Sequence, residues 1–143
     1  MSYGWFDIMI HVLLIPIYQI ISTLRHEGAH ALTAKAYGFP ITVFKILPHR
    51  HDGHFYWGRV SWLPTNRDRW LIYMMPYIVN VVSLAAGTAM IRFIDWSSFH
   101  LYTLTAIMLV LSPAIDTIYN FCKYLFFGRG DFARVLHGEG SGC

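Results

Sequence analysis

The chain has 143 residues, 55% of them hydrophobic and only 13% charged, with a mean hydropathy of +0.41. That profile is too apolar for an ordinary water-soluble domain and points to a bilayer protein built as one unit. A net charge of +3 with no basic tract argues against nucleic acid as a partner. Two cysteines, Cys122 and Cys143, with no CxxC pattern, argue against a disulfide framework or a thiolate metal site.

The N-terminus lacks the basic stretch and small-residue cleavage site of a removable leader. Ile8 to Leu24 is 17 residues without Asp, Glu, Lys or Arg, the lower limit for crossing a hydrocarbon core. A first span of about 6–37 is expected, closed by Gly38-Phe39-Pro40. Pro16 would free the carbonyl of Val12 and bend it. Near its inner end stands Leu24-Arg25-His26-Glu27-Gly28-Ala29-His30-Ala31-Leu32, which contains His-Glu-x-x-His. At ~100° per residue on a helix, His26 and His30 are ~40° apart with Glu27 beside them. Two imidazoles so spaced can hold one Zn²⁺ while the carboxylate reaches a water on the ion. Such polar groups are costly in an apolar segment unless they are used.

Ile41 to Leu63 is rich in β-branched and aromatic residues on both sides of Asp52-Gly53, a two-residue hairpin signal. With that loop, His51 faces His54, Leu47 faces Gly58 and Val43 faces Trp62. His49, His51 and His54 near one turn form a second candidate metal cluster, against the commoner use of histidine as a solvated turn residue. Trp70 to Ile91 gives 22 uncharged residues and a second span of about 69–94, with Pro76 marking a kink. Ser83, Ala86, Gly87 and Ala89 offer it a small-residue helix contact. Trp96 to Ile115 gives 20 uncharged residues and a third span of about 97–127, ended by Gly128-Arg129-Gly130. Residues 1–137 read as one domain and 138–143 as a flexible polar tail. The fold class expected is therefore membrane α-helical, with three transmembrane helices and a β-hairpin inserted between the first and second.

Lys35, Lys45, Arg50, Arg59, Arg67 and Arg69 lie between spans one and two, whereas Arg92 alone lies between two and three. The positive-inside rule then puts the N-terminus outside and the hairpin, the C-terminus and the His-Glu motif on the cytoplasmic side. A catalytic zinc needs a third protein ligand at the depth of the motif. Asp116 meets that condition: span three runs parallel to span one, and Asp116 lies ~16 Å of helix before its inner end. An ion pair with Arg25 is the other way to hold such an aspartate. Pro113 would open the helix one turn earlier and leave the carbonyl of Leu109 without its donor. Asp131, in Gly-Arg-Gly-Asp-Phe, is the competing ligand, its ordinary use being a solvated or helix-capping residue. The expected ligands are His26, His30 and Asp116.

His26-Glu27-Gly28-Ala29-His30, a β-rich insertion, a second span and a proline-containing third span with an intramembrane aspartate together resemble the site-2 protease type of intramembrane zinc metalloproteases. The resemblance covers roughly residues 5 to 127 and the three-helix core of that family. It implies zinc on His26, His30 and Asp116, with Glu27 as general base. Ser112-Pro113-Ala114-Ile115-Asp116 matches the family's Asn-x-x-Pro-x-x-x-Leu-Asp-Gly only in part: Thr117 replaces the Gly, and Met108 stands where the Asn is expected. The oxyanion donor is thus left among Asn80, Asn120 and Ser112. The expected activity is zinc-dependent hydrolysis of a membrane protein or peptide substrate in or beside the bilayer, which an extended substrate could approach by adding to the hairpin edge. The rival from another class is a non-catalytic zinc-binding protein that captures or regulates a partner. A haem held by His30 and His100 is the third reading, disfavoured because the two lie at opposite ends of their spans.

Overall fold

The computed structural model describes residues 4–51, 53–63 and 70–137. Asp52 of the expected turn, Arg67 and Arg69 of the basic connection, and the tail 138–143 lie outside the described residues. The first apolar run is two helices, α1 (Trp5–Leu13) and α2 (Ile15–Ala36), set at 45° to each other across Leu14. Pro16 explains the break. In the first turn of α2 its missing N–H costs nothing, whereas inside one continuous helix it would orphan a carbonyl. α2 stops in a Schellman turn: the amide of Phe39 reaches the carbonyl of Ala34 and that of Gly38 reaches Lys35. Gly38 takes φ +81°, the left-handed conformation that a side chain would strain.

The insertion is a hairpin of two short antiparallel ladders. β1 (Ile41–Lys45) pairs with β4 (Arg59–Trp62), and β2 (His49–His51) pairs with β3 (His54–Tyr56). Around the turn the register is the expected one, His51 opposite His54. Nearer the base it has slipped by one: Val43 faces Ser61, not Trp62, and the pairing of Leu47 with Gly58 is not made. The ladder is interrupted between the two pairs of strands, and an irregularity between Ile41 and Val43 shifts the register again. A one-residue slip exchanges the faces of a strand. The break therefore lets the base lie on α2 independently of the tip. The contact is close at Gly58, where a Cβ would collide with Cγ2 of Thr23 and approach Cγ of Glu27 to 2.8 Å.

α3 (Trp70–Phe93) is the second long helix, with Pro76 in its interior. The third is continuous from Phe99 to Phe127 but changes winding: α4 (Phe99–Thr105), a π-helical segment (Ala106–Leu111) and α5 (Ser112–Phe127). In the π segment the Ser112 amide bonds the carbonyl of Ile107, five residues back. The next donor in that register would be residue 113, a proline, so the carbonyl left over is that of Met108 rather than the expected Leu109. Arg25 Nη1 donates to it at 2.8 Å and Nη2 to Ser112 Oγ at 3.1 Å, which gives the Arg25 cation a use other than pairing with Asp116.

The helices Trp70–Phe93 and Phe99–Phe127 are long and apolar enough to cross a membrane, and the bent pair α1–α2 would make a third. Large apolar side chains stand on the outside: Ile78, Val81 and Val82 on α3, and Ile118, Phe121 and Leu125 on α5 are all exposed. Of the small residues expected at a helix contact, Gly87 is the buried one; a Cβ there would come within 2.6 Å of Leu109 Cβ and 2.9 Å of Val110 Cγ2. Beyond α5 the chain turns back through Gly128 (φ +60°) and Gly130 (φ +99°) into α6 (Asp131–His137), an element absent from the sequence reading. Phe132 anchors it, its ring 4.3 Å from Tyr77, 5.7 Å from Phe121 and 6.5 Å from Tyr124.

Because Gly87 is where α3 meets the π segment, Gly87→Val is expected to destabilise the protein by about 1–3 kcal/mol, the usual cost of overpacking. An exposed Ala89→Val control should change stability little. Thermal unfolding in detergent checks both.

Candidate metal centre

His26 and His30 fall one turn apart on α2, and their rings meet edge to face at 5.0 Å. Each is held through Nδ1 by a group from another helix. His30 Nδ1 lies 2.7 Å from the carbonyl oxygen of Ile72 on α3. That carbonyl is available because its helical partner would be the amide of Pro76, which has no hydrogen. Ile72 is fully buried, and an unsatisfied carbonyl there would cost about 1–3 kcal/mol. A carbonyl only accepts, so His30 carries a proton on Nδ1 and turns Nε2 toward the cluster.

His26 Nδ1 lies 2.8 Å from Asp116 Oδ2. The carboxylate of Asp116 also accepts from Asn80 Nδ2 at 2.7 Å and from Asn120 Nδ2 at 3.0 Å. Asn80 is buried and donates to Thr117 Oγ1 as well. The donors around Asp116 leave it as an acceptor for a proton on His26 Nδ1, so Nε2 is the nitrogen turned toward the cluster.

The two Nε2 nitrogens face one atom. His26 Nε2 is 3.4 Å and His30 Nε2 is 3.3 Å from Asp131 Oδ2. Tyr77 donates its hydroxyl hydrogen to that same oxygen at 3.1 Å. Among the described residues, His26, His30 and Asp131 are the group of ligating side chains whose atoms all lie within 4.8 Å of one another. Ligands about 2.0–2.1 Å from a tetrahedral ion stand about 3.3 Å apart, so the observed separations suit a small divalent cation. Burial alone would push the Asp131 carboxyl up. Without a metal, protons on the Nε2 atoms that His30 and His26 turn toward it outweigh burial and hold the group well below the usual carboxylate range, the anionic form a metal needs, and a bound metal would take the place of those protons.

The three groups that converge differ from the expected ligands in the third member. Asp131, not Asp116, converges with the imidazoles. Asp116 lies at the right depth but meets the nitrogen of His26 that points away from the cluster, where it orients the ring. Depth along the spans could not reveal Asp131, because it arrives only after the chain reverses through Gly128 and Gly130. A signal was nevertheless present, since an aspartate opening an apolar helix beside two glycines was the alternative already in view. Tyr77 had no such signal. Of the suggested oxyanion donors, Asn80 and Asn120 are committed to Asp116, and Ser112 donates to Ser22 at 2.8 Å while accepting from Arg25.

The other histidines do other work. His49 holds the carbonyl of Leu47 at 3.0 Å and stacks on Tyr56, and the side chain of His54 lies outside the described residues. His100 contacts His11 at 3.2 Å and Asp7 at 3.4 Å, not His30. His11 in turn bonds Tyr18 at 2.7 Å and closes the far end of a cleft.

That cleft, about 660 Å³, lies between α1–α2, the hairpin and the third long helix. His26, Glu27 and Asp116 line it together with Phe55, Trp57 and Gly58 of the hairpin. The Glu27 carboxylate is close enough to His26, His30 and Asp131 to feel all three, and the backbone of Val60 hydrogen-bonds it.

Asp131→Ala is expected to abolish stoichiometric metal binding, whereas Asp116→Asn and Pro76→Ala, which disturb only how the imidazoles are held, should weaken it about 10–100-fold. Zinc titration against a competing chelator ranks the three; equal losses at Asp116 and Asp131 would refute the division of roles. The chain matches no protein-family model, no curated protein and no solved structure.

Proposed function

We propose that this protein is an integral-membrane zinc metallopeptidase, similar in its chemistry to the site-2 protease type, acting on a membrane protein or peptide. The observation that carries the reading is the position of Glu27. It is a carboxylate next to the candidate metal ligands, lining a cleft large enough for an extended peptide. In this reading α1–α2, α3 and the helix from Phe99 to Phe127 cross the bilayer, with the hairpin and C-terminus on the cytoplasmic side. The exposed apolar side chains of α3 and α5 support that placement.

His26, His30 and Asp131 would hold the zinc, which when bound polarises a carbonyl and lowers the pKa of water. Glu27 takes the proton from the attacking water and returns it to the leaving nitrogen. The backbone of Val60 fixes the Glu27 carboxylate. Asp116 and the Ile72 carbonyl keep both imidazoles in one tautomer, and Tyr77 steadies Asp131. Phe55 to Gly58 offer backbone groups to an extended substrate in the cleft.

A second reading, a zinc-binding protein that captures a partner without cutting it, is favoured by one observation. All three suggested oxyanion donors are engaged elsewhere. One experiment separates the two. Purified protein in detergent or liposomes is expected to cleave apolar peptides with one zinc per chain. Glu27→Gln should keep the zinc and lose at least 10²-fold in kcat, the usual contribution of a general base. Stoichiometric zinc without cleavage of any of a broad peptide set would establish the binder, and full activity in Glu27→Gln would remove that carboxylate from the mechanism.

A further inference from the structure

One cation in the cleft is not used by the mechanism above. Lys123 lies on α5, seven residues after Asp116, so both share a face of the helix, two turns apart. Its stem runs beside Gly130, where a Cβ would lie 3.8 Å from Lys123 Cδ, and Gly130 immediately precedes Asp131. Lys123 therefore stands at the metal end of the cleft it lines.

The acidic groups nearby have other partners. Both oxygens of Asp116 are taken by His26, Asn80 and Asn120. Asp131 faces His26, His30 and Tyr77, and Glu27 is held by the backbone of Val60. Among the described residues, Lys123 has no hydrogen-bonded or ion-paired partner. The other part of the cleft is apolar, formed by Ile8, Val12, Ile15, Ile107 and Leu111. Lys123 is part-buried, and an ammonium at the polar end of such a groove favours an anion over a neutral group, because a charge-assisted bond is the stronger one.

We infer that Lys123 is a specificity-determining residue that binds a carboxylate of the substrate, selecting peptides in which an apolar stretch is followed by an acidic group. The carboxylate belongs to an Asp or Glu side chain or to a free C-terminus. The inference rests on the peptidase reading and adds the substrate class to it.

The test measures binding as well as cleavage. Fluorescein-labelled apolar peptides are prepared in three forms: an internal Glu with an amidated end, the same peptide with Gln, and the Gln peptide with a free C-terminal carboxylate. Their affinity for the full-length, zinc-loaded Glu27→Gln protein is read by anisotropy, and their cleavage by the wild type is followed in parallel. At least one carboxylate form is expected to bind roughly tenfold or more tightly than the neutral form, and which one does so identifies the source of the carboxylate. The preference should vanish in Lys123→Met on the same background and survive in Lys123→Arg. Equal affinity for all three peptides, or a preference that persists in Lys123→Met, overturns the inference while leaving the peptidase reading intact if the wild type still cleaves. Absence of both binding and cleavage for every peptide overturns the two together.

Discussion

Two imidazole nitrogens and a carboxylate oxygen turned toward one point need something positive among them, protons or a metal ion, and the interior of this protein is arranged around such a point. Nε2 of His26 and Nε2 of His30 lie 3.4 and 3.3 Å from Oδ2 of Asp131, and the far nitrogen of each ring is held by an acceptor. The protein has thus decided which nitrogen of each ring faces the site before any ligand arrives. Four chain segments contribute: α2 the imidazoles, α3 and α5 the groups that orient them, and α6 the carboxylate. Each later feature of the fold is a consequence of bringing these segments to one depth.

Proline is the means by which backbone groups are recruited. Pro76 removes the amide that would have covered the Ile72 carbonyl, and His30 takes its place. Pro113 does the same after a π-helical turn has moved the register by one residue, so that Met108 offers its carbonyl to Arg25. Each exchanges a helical hydrogen bond for one that reaches a second helix. In a low-dielectric setting neither carbonyl could be left bare at a cost below about 1–3 kcal/mol, so the interhelical bond and the kinked helix stabilise each other.

Above this centre lies the hairpin, pressed onto α2 so closely at Gly58 that a side chain would not fit beside Thr23 and Glu27. The slip in register between its tip and its base allows the base to follow α2 while Phe55 to Gly58 form a wall of the cleft. The same cleft runs from an apolar end, closed by the His11–Tyr18 bond, to the polar end of Glu27 and Lys123. A peptidase, as proposed, needs both ends: one to hold an apolar segment and one to break a bond.

By itself the sequence determined whatever depends on periodicity and local covalent chemistry. The pairing of His26 and His30 on one helical face, the long apolar helices, the hairpin turn and the helix breaks at Pro16, Gly38 and Gly128 follow from spacing, from φ restrictions and from missing amide hydrogens. Pro76 announced a kink and Pro113 a freed carbonyl, expected at Leu109 and found at Met108, and neither told which side chain would claim it. Tertiary structure decided every choice between equivalent donors at similar depth. Asp116 lies in the last part of the third long helix and Asp131 just beyond its C-terminal end, and no local rule ranks the two carboxylates. Only the reversal through two positive-φ glycines, held by Phe132 against Tyr77, Phe121 and Tyr124, turns Asp131 toward the imidazoles and leaves Asp116 behind His26. That outcome depends above all on the contact of Phe132 with Tyr77, a residue of a helix far earlier in the chain, and such a contact leaves no mark in the periodicity of either segment.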